Sequence, residues 1–161
     1  MGTTNYTLQI ESVRGETKRN GKTDLIEVLG FEYGVSAGHF QGEAGHKRRS
    51  YTNVRFTKLT DRSSVTIQQM LAQNSKIRQA TLSLTKSGGD EPLVYYKVVL
   101  KDGFFTSFKI RGEDAADEYA SMPREEFEIS FRRIEIEYEE QSEKGVKGGS
   151  VSFADDIATN E

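Results

Sequence analysis

The feature that most limits how this chain can fold is an alternation of apolar and polar residues that repeatedly changes phase. In Leu25 to Val35 the apolar positions begin as Ile26 and Val28, then continue as Leu29, Phe31, Tyr33 and Val35. In the segment from Phe127 to Tyr138 they run Phe127, Ile129 and Phe131, then Ile134, Ile136 and Tyr138, with the slip at Arg132-Arg133. A period of two is the signature of a strand with one wet and one dry face. A strand whose dry face switches sides must carry a bulge or a sharp bend, and Gly30 is a plausible place for the first. The long apolar stretch from Leu93 to Ile110 is interrupted by Asp102-Gly103, which bends it or splits it in two.

Other strands follow the same rule. Thr7 to Val13 alternates around Leu8 and Ile10, Thr52, Val54 and Phe56 alternate with Tyr51, Asn53 and Arg55, and Lys76 to Thr85 carries Ile77, Leu82 and Leu84. Gly15 to Asp24 reads as a polar turn, Gly88-Gly89-Asp90 as a tight turn, and Val151 to Phe153 as a short last strand. Asp61 to Asn74 is the one good helix candidate. Ile67, Met70 and Leu71 share a face at i, i+3, i+4, and Ser63 or Ser64 is placed to cap it. About seven strands, one helix and turn signals between them predict an antiparallel barrel or sandwich. Strands that bend favour the barrel.

Residues 36–50 break the pattern. Only Phe40 is large and apolar there, and structureless stretches this long in compact domains are usually functional or disordered.

Composition narrows the function classes. The 161 residues suffice for one domain, 1–161, with a real core. Basic and acidic residues are intermixed, with a net charge of −3, which disfavours binding to nucleic-acid phosphates. The absence of cysteine removes disulfides, thiol nucleophiles and cysteine metal sites. The N-terminus has no apolar signal core, Tyr6 stands where a myristoylation motif wants Ser or Thr, and no run approaches a membrane span. Asn5-Tyr6-Thr7 matches a glycosylation tripeptide, read as chance without a signal peptide.

No constellation of catalytic residues stands out, and the chain reads as a non-enzyme that needs no cofactor and no metal. His39 and His46 lie seven apart in the 36–50 loop with Glu43 as the only nearby carboxylate, too few ligands for a metal. No serine sits in a nucleophile-elbow pattern. Glu125, Glu126, Glu128, Glu135, Glu137, Glu139 and Glu140 read as the wet face of strands. Lys47-Arg48-Arg49 suits phosphate or an acidic neighbouring subunit, and Gly145 to Gly149 lacks the ending of a phosphate-binding loop.

Several segments, in order, resemble a known family. They are Leu8-Gln9-Ile10 with Val13-Arg14-Gly15-Glu16-Thr17, Ile26 to Gly34, Phe56-Thr57-Lys58 with Asp61, Leu82 to Gly89 with Tyr95 to Leu100, and the phase-slipped Phe127 to Tyr138. The set resembles the Hcp (haemolysin-coregulated protein) family, tube subunits of the bacterial type VI secretion system, from about Leu8 to Val151. Gly-Glu-Thr in place of Gly-Glu-Ser, Phe31 and Tyr33 where the family often has tryptophan, and Ser63-Ser64-Val65 in place of a helix-opening Ser-Pro are departures.

The resemblance implies a compact antiparallel β-barrel of two sheets with one flanking α-helix. It implies a homo-hexameric ring that stacks into a tube within a contractile sheath, topped by a VgrG-type spike, with a lumen able to carry secreted effector proteins. Subunits would leave the bacterial cytoplasm without a signal peptide and without inserting in a membrane. On this reading His39, Phe40, His46, Lys47, Arg48 and Arg49 are candidate inter-ring or inter-subunit contacts, with Phe40 as apolar anchor. Glu32, opposite Phe31 and Tyr33 on its strand, is a candidate lumen residue. On the same reading, a chain ending at Glu161 is expected to carry no appended toxin domain. Other readings are an effector carrier ring with little tube role, a monomeric ligand-binding barrel, and a phage-like tail-tube protein.

Overall fold

A computed structural model of the chain describes residues 4–19, 22–38, 49–86, 93–113, 122–141 and 147–157. In chain order the elements are β1 (Thr4–Ile10), β2 (Thr17–Arg19), β3 (Lys22–Val28), β4 (Gly30–Glu32), β5 (Val35–Ala37), β6 (Arg49–Tyr51) and β7 (Val54–Leu59). Helix α1 (Ser63–Ala72) follows, then β8 (Ile77–Lys86), β9 (Leu93–Gly103), β10 (Phe105–Arg111), β11 (Arg124–Ile129), β12 (Arg133–Gln141) and β13 (Lys147–Asp156). The fold is mainly β with one helix among the described residues, as the alternation predicts. A seven-stranded antiparallel sheet runs β13-β12-β9-β8-β1-β3-β2, and a four-stranded one runs β10-β11-β7-β4. A separate two-stranded ribbon joins β5 and β6.

The phase changes are the corners of this architecture. The chain leaves the large sheet at the end of β3 and joins the small sheet at β4, bending at Leu29. It crosses the same way between β9 and β10 at Phe104, and returns between β11 and β12 across Ser130 to Arg132. The two sheets face each other, so a strand that changes sheets must turn its other face inward. The two later corners are stitched together. The Ser130 N–H donates to the Phe104 carbonyl at 2.9 Å, the Phe104 N–H to the Ser130 hydroxyl at 3.1 Å, and the Arg132 N–H to the Lys101 carbonyl at 3.0 Å. Gly103 has no room for a side chain, since a Cβ there would lie 1.8 Å from the Ser130 carbonyl oxygen. Gly30, at the first corner, has open space around it.

Leu8, Ile10, Ile26, Leu82, Val98, Leu100 and Ile134 of the large sheet are buried with Val54, Phe56, Phe127 and Ile129 of the small one. Phe56 and Phe127, opposite each other on β7 and β11, stack at 5.3 Å. Ile67 of α1 is fully buried, with Met70 and Leu71 partly so, which bears out the predicted stripe.

Four expectations need correction. The stretch 36–50 is not structureless at its ends, because Val35, Ser36 and Ala37 pair with Tyr51, Ser50 and Arg49. The last strand is ten residues long rather than three, and Thr17–Arg19 is a strand rather than turn. The serines do not cap α1 as expected. The Asp61 carboxylate accepts from the Ser63 N–H at 2.9 Å, while the Ser64 hydroxyl turns inward to serve a buried charge pair.

Candidate assembly surface

That pair is where the wet-face reading of the carboxylates fails. Glu125 is fully buried, with Lys58 equally buried and its ammonium 2.7 Å away. Glu125 lies in phase with Phe127 and Ile129, and Lys58 with Val54 and Phe56, so both side chains point into the core. Burial of two charges is tolerable only when their remaining hydrogen-bonding capacity is met. Here the Lys58 ammonium also donates to Asp61, the Ser64 hydroxyl and the Leu59 carbonyl. Glu125 accepts from the Ser64 and Thr60 hydroxyls at 2.9 and 2.8 Å. The cluster ties α1 to β7 and β11. The signal for it was the parity of Lys58 and Glu125 with their apolar neighbours.

The other end of the molecule is less finished. The small sheet is narrower than the large one, and at β12 and β13 no described strand of the small sheet lies opposite in register. Residues directly opposed on antiparallel strands share a face, and Ile134, Ile136 and Tyr138 oppose Asp155, Phe153 and Val151. Ile134 is buried in the core, but further along the same face Tyr138 is 43%, Phe153 52% and Val151 69% exposed. Beyond β13 no described strand pairs with its outer edge. The result is an apolar strip beside an open strand edge.

The β5–β6 ribbon borders this strip. The Arg49 guanidinium grips the Asp155 carboxylate with two hydrogen bonds, at 2.7 and 2.6 Å, and donates to the Asp156 carbonyl at 3.0 Å. The Tyr51 hydroxyl donates to the same carboxylate at 2.8 Å, and its ring meets Phe131 edge-on at 5.5 Å. Hydrogen bonding from Arg49 and then Tyr51, against an opposing cost of burial, holds the Asp155 carboxyl below its ordinary range. Burial, then the bond to Asp155, pushes the Tyr51 phenol up. Nearby, burial and a hydrogen bond with Tyr96 push the Tyr33 phenol up.

Of the residues expected to make contacts between subunits, Arg49 thus has its guanidinium committed within its own chain. His39, Phe40, His46, Lys47 and Arg48 lie outside the described residues. Glu32 is exposed on β4, opposite to half-buried Phe31 and Tyr33, and sits across from Arg55. Arg55 in turn lies 3.7 Å from Glu128, so this outer face of the small sheet carries mixed charge. On the outer face of the large sheet, Lys101 lies 2.9 Å from Glu135 and holds that carboxyl low. Among the described residues no helix is long and apolar enough to cross a membrane, and no three His, Asp or Glu side chains are grouped to hold a metal.

Two packed antiparallel sheets, strands that turn corners between them and one helix define the class: a mainly β, two-sheet protein. The family model for the type VI secretion system effector Hcp matches residues 7–138, and the chain belongs to that family. Its members are secreted structural proteins of type VI secretion. The protein hcp1 of Pseudomonas aeruginosa is 26% identical over 157 residues, covering 95% of this chain and 94% of that one. Hcp1 from Salmonella typhimurium superposes with a TM-score of 0.76 at 25% identity, covering 100% of this chain and 99% of that one. A solved type six secretion system protein shares the fold at a TM-score of 0.87, with 20% identity and 99% of each chain covered.

Proposed function

We propose that this chain is a subunit of the type VI inner tube. Six copies form a ring, rings stack within a contractile sheath beneath a VgrG-type spike, and the assembly is expelled from the bacterial cytoplasm. The lumen carries secreted effectors, with Glu32 on its wall. His39, Phe40, His46, Lys47 and Arg48 reach the neighbouring subunit or ring.

The observation that carries this reading is the strip of Tyr138, Val151 and Phe153 beside the open edge of β13. An uncovered apolar strip on an edge strand is a liability to a monomer and an asset to an assembly. A ring needs each copy to meet the next through a heterologous contact that closes. The test is solution mass by size-exclusion chromatography with light scattering, followed by negative-stain microscopy. The wild type is expected at six chains with open rings. The double variant Val151→Lys with Phe153→Lys is expected to be a folded monomer. A wild type that stays monomeric at high concentration, or a double variant that assembles like it, overturns the reading.

A further inference from the structure

A side-chain contact between residues far apart in sequence ties the ribbon to the strip. Arg49 and Asp155 are 106 residues apart in sequence, yet three hydrogen bonds from Arg49 and one from Tyr51 converge on Asp155 and Asp156 at the end of β13. Asp155 shares its face with Phe153 and Val151, two and four residues earlier on the same strand. The ribbon therefore stands at the end of the apolar strip. Its own pairing spans only three residue pairs, and Val35, Ser36 and Ala37 are all exposed. Two short strands with no buried residue on one of them have little to fix their direction. A bidentate arginine–carboxylate fork fixes both distance and angle, which a single hydrogen bond does not.

We propose that Asp155 is a positioning residue: through Arg49 and Tyr51 it locks the β5–β6 ribbon against β13, so that ribbon and strip form one docking surface for a second copy of this chain. The inference rests on the tube-subunit reading for the identity of the partner, and on the geometry alone for the lock. The strip supplies apolar area and the ribbon supplies direction, so a neighbour is seated at one angle rather than several. A ring closes only if that angle repeats at each contact. Arginine serves better than lysine at position 49, because lysine offers a point charge without the planar fork.

The experiment uses the full chain with three changes: Asp155→Asn, Arg49→Lys, and the exchanged pair Arg49→Asp with Asp155→Arg. Two readouts are taken. Hydrogen–deuterium exchange reports on the peptides holding residues 35–38 and 49–51, and light scattering across a dilution series gives the midpoint of assembly. Asp155→Asn is expected to speed ribbon exchange at least tenfold and raise the midpoint at least tenfold, with an unchanged melting temperature for the isolated subunit. Arg49→Lys should fall between it and the wild type, and the exchanged pair should recover most of both effects. Unchanged ribbon exchange in Asp155→Asn overturns the lock. Faster exchange with an unchanged midpoint overturns its role in docking. A wild type that is monomeric at every concentration overturns the ring reading and the partner with it, whereas the exchange measurement still decides the lock by itself.

Discussion

Removing one half of the Lys58–Glu125 pair should be among the most damaging single changes in the protein, while removing both should be mild. Both side chains are fully buried and 2.7 Å apart. Stripping one partner from such a pair costs about 3–5 kcal/mol, because the other is left as an uncompensated charge. The structure separates the two directions. With Glu125 replaced by leucine, the Lys58 ammonium still has Asp61 at 3.0 Å, so the cost belongs near the low end, about 3 kcal/mol. With Lys58 replaced by methionine, Glu125 keeps the Ser64 and Thr60 hydroxyls but, among the described residues, no positive partner, so about 5 kcal/mol is expected. The double variant should lie within about 2 kcal/mol of the wild type, since two apolar chains of similar volume need no pairing. For a chain of this size 1 kcal/mol moves the melting temperature by about 2–4 °C, so Lys58→Met should melt about 10–20 °C lower. Urea unfolding followed by circular dichroism measures this. Protein concentration must be held fixed, because assembly stabilises the folded subunit. A Lys58→Met variant within about 1 kcal/mol of the wild type would refute the reasoning, as would a double-mutant cycle with coupling below about 1 kcal/mol.

Gly103→Ala should cost on the order of 3 kcal/mol in the same assay, since its Cβ would enter the Ser130 carbonyl, whereas Gly30→Ala should change stability by less than about 1 kcal/mol. The lock at Asp155 should be acid-labile in one direction only. Its folded carboxyl titrates below the unfolded value of about 3.9, so its contribution is complete above that pH, declines as pH falls through the folded value and is absent below it. Ribbon exchange, corrected for intrinsic rate, should therefore be flat from pH 7 to pH 5 and rise only in stronger acid. Asp155→Asn should abolish that rise, and an onset near pH 6 would assign it to another group.

How much of this was visible beforehand depended on whether the signal was local. Alternation revealed the strands, and its phase changes at Leu29 and at Arg132-Arg133 marked two of the corners where the chain changes sheets. The third, at Asp102-Gly103, announced itself only as a break. Parity placed Lys58 and Glu125 among Val54, Phe56, Phe127 and Ile129, yet their charge argued for water more loudly than their position argued for the core. The partner that reconciles the two arguments lies on a different strand, and one-dimensional pattern carries no information on which strand that is. The same holds for Arg49 and Asp155. Arg49 reads as a contact to a neighbouring subunit and Asp155 carries no signal of its own, until the fold brings the ribbon to the end of β13.

The distribution of these polar contacts separates what one chain completes from what it leaves open. At the α1 end, every hydrogen-bonding demand of a buried charge pair is met from within the chain, so that end is a closed piece of structure. At the β13 end, Tyr138, Phe153 and Val151 are exposed, and among the described residues no strand pairs with the edge beside them. Natural sheets usually blunt such an edge with inward-pointing charges, prolines or a covering loop. Here the charge that points along that face, Asp155, is turned to another use: it is neutralised by Arg49 and holds the ribbon beside the strip rather than over it. A device that would protect a monomer's edge here frames it, and it is this geometry that the proposed docking of a second copy would use.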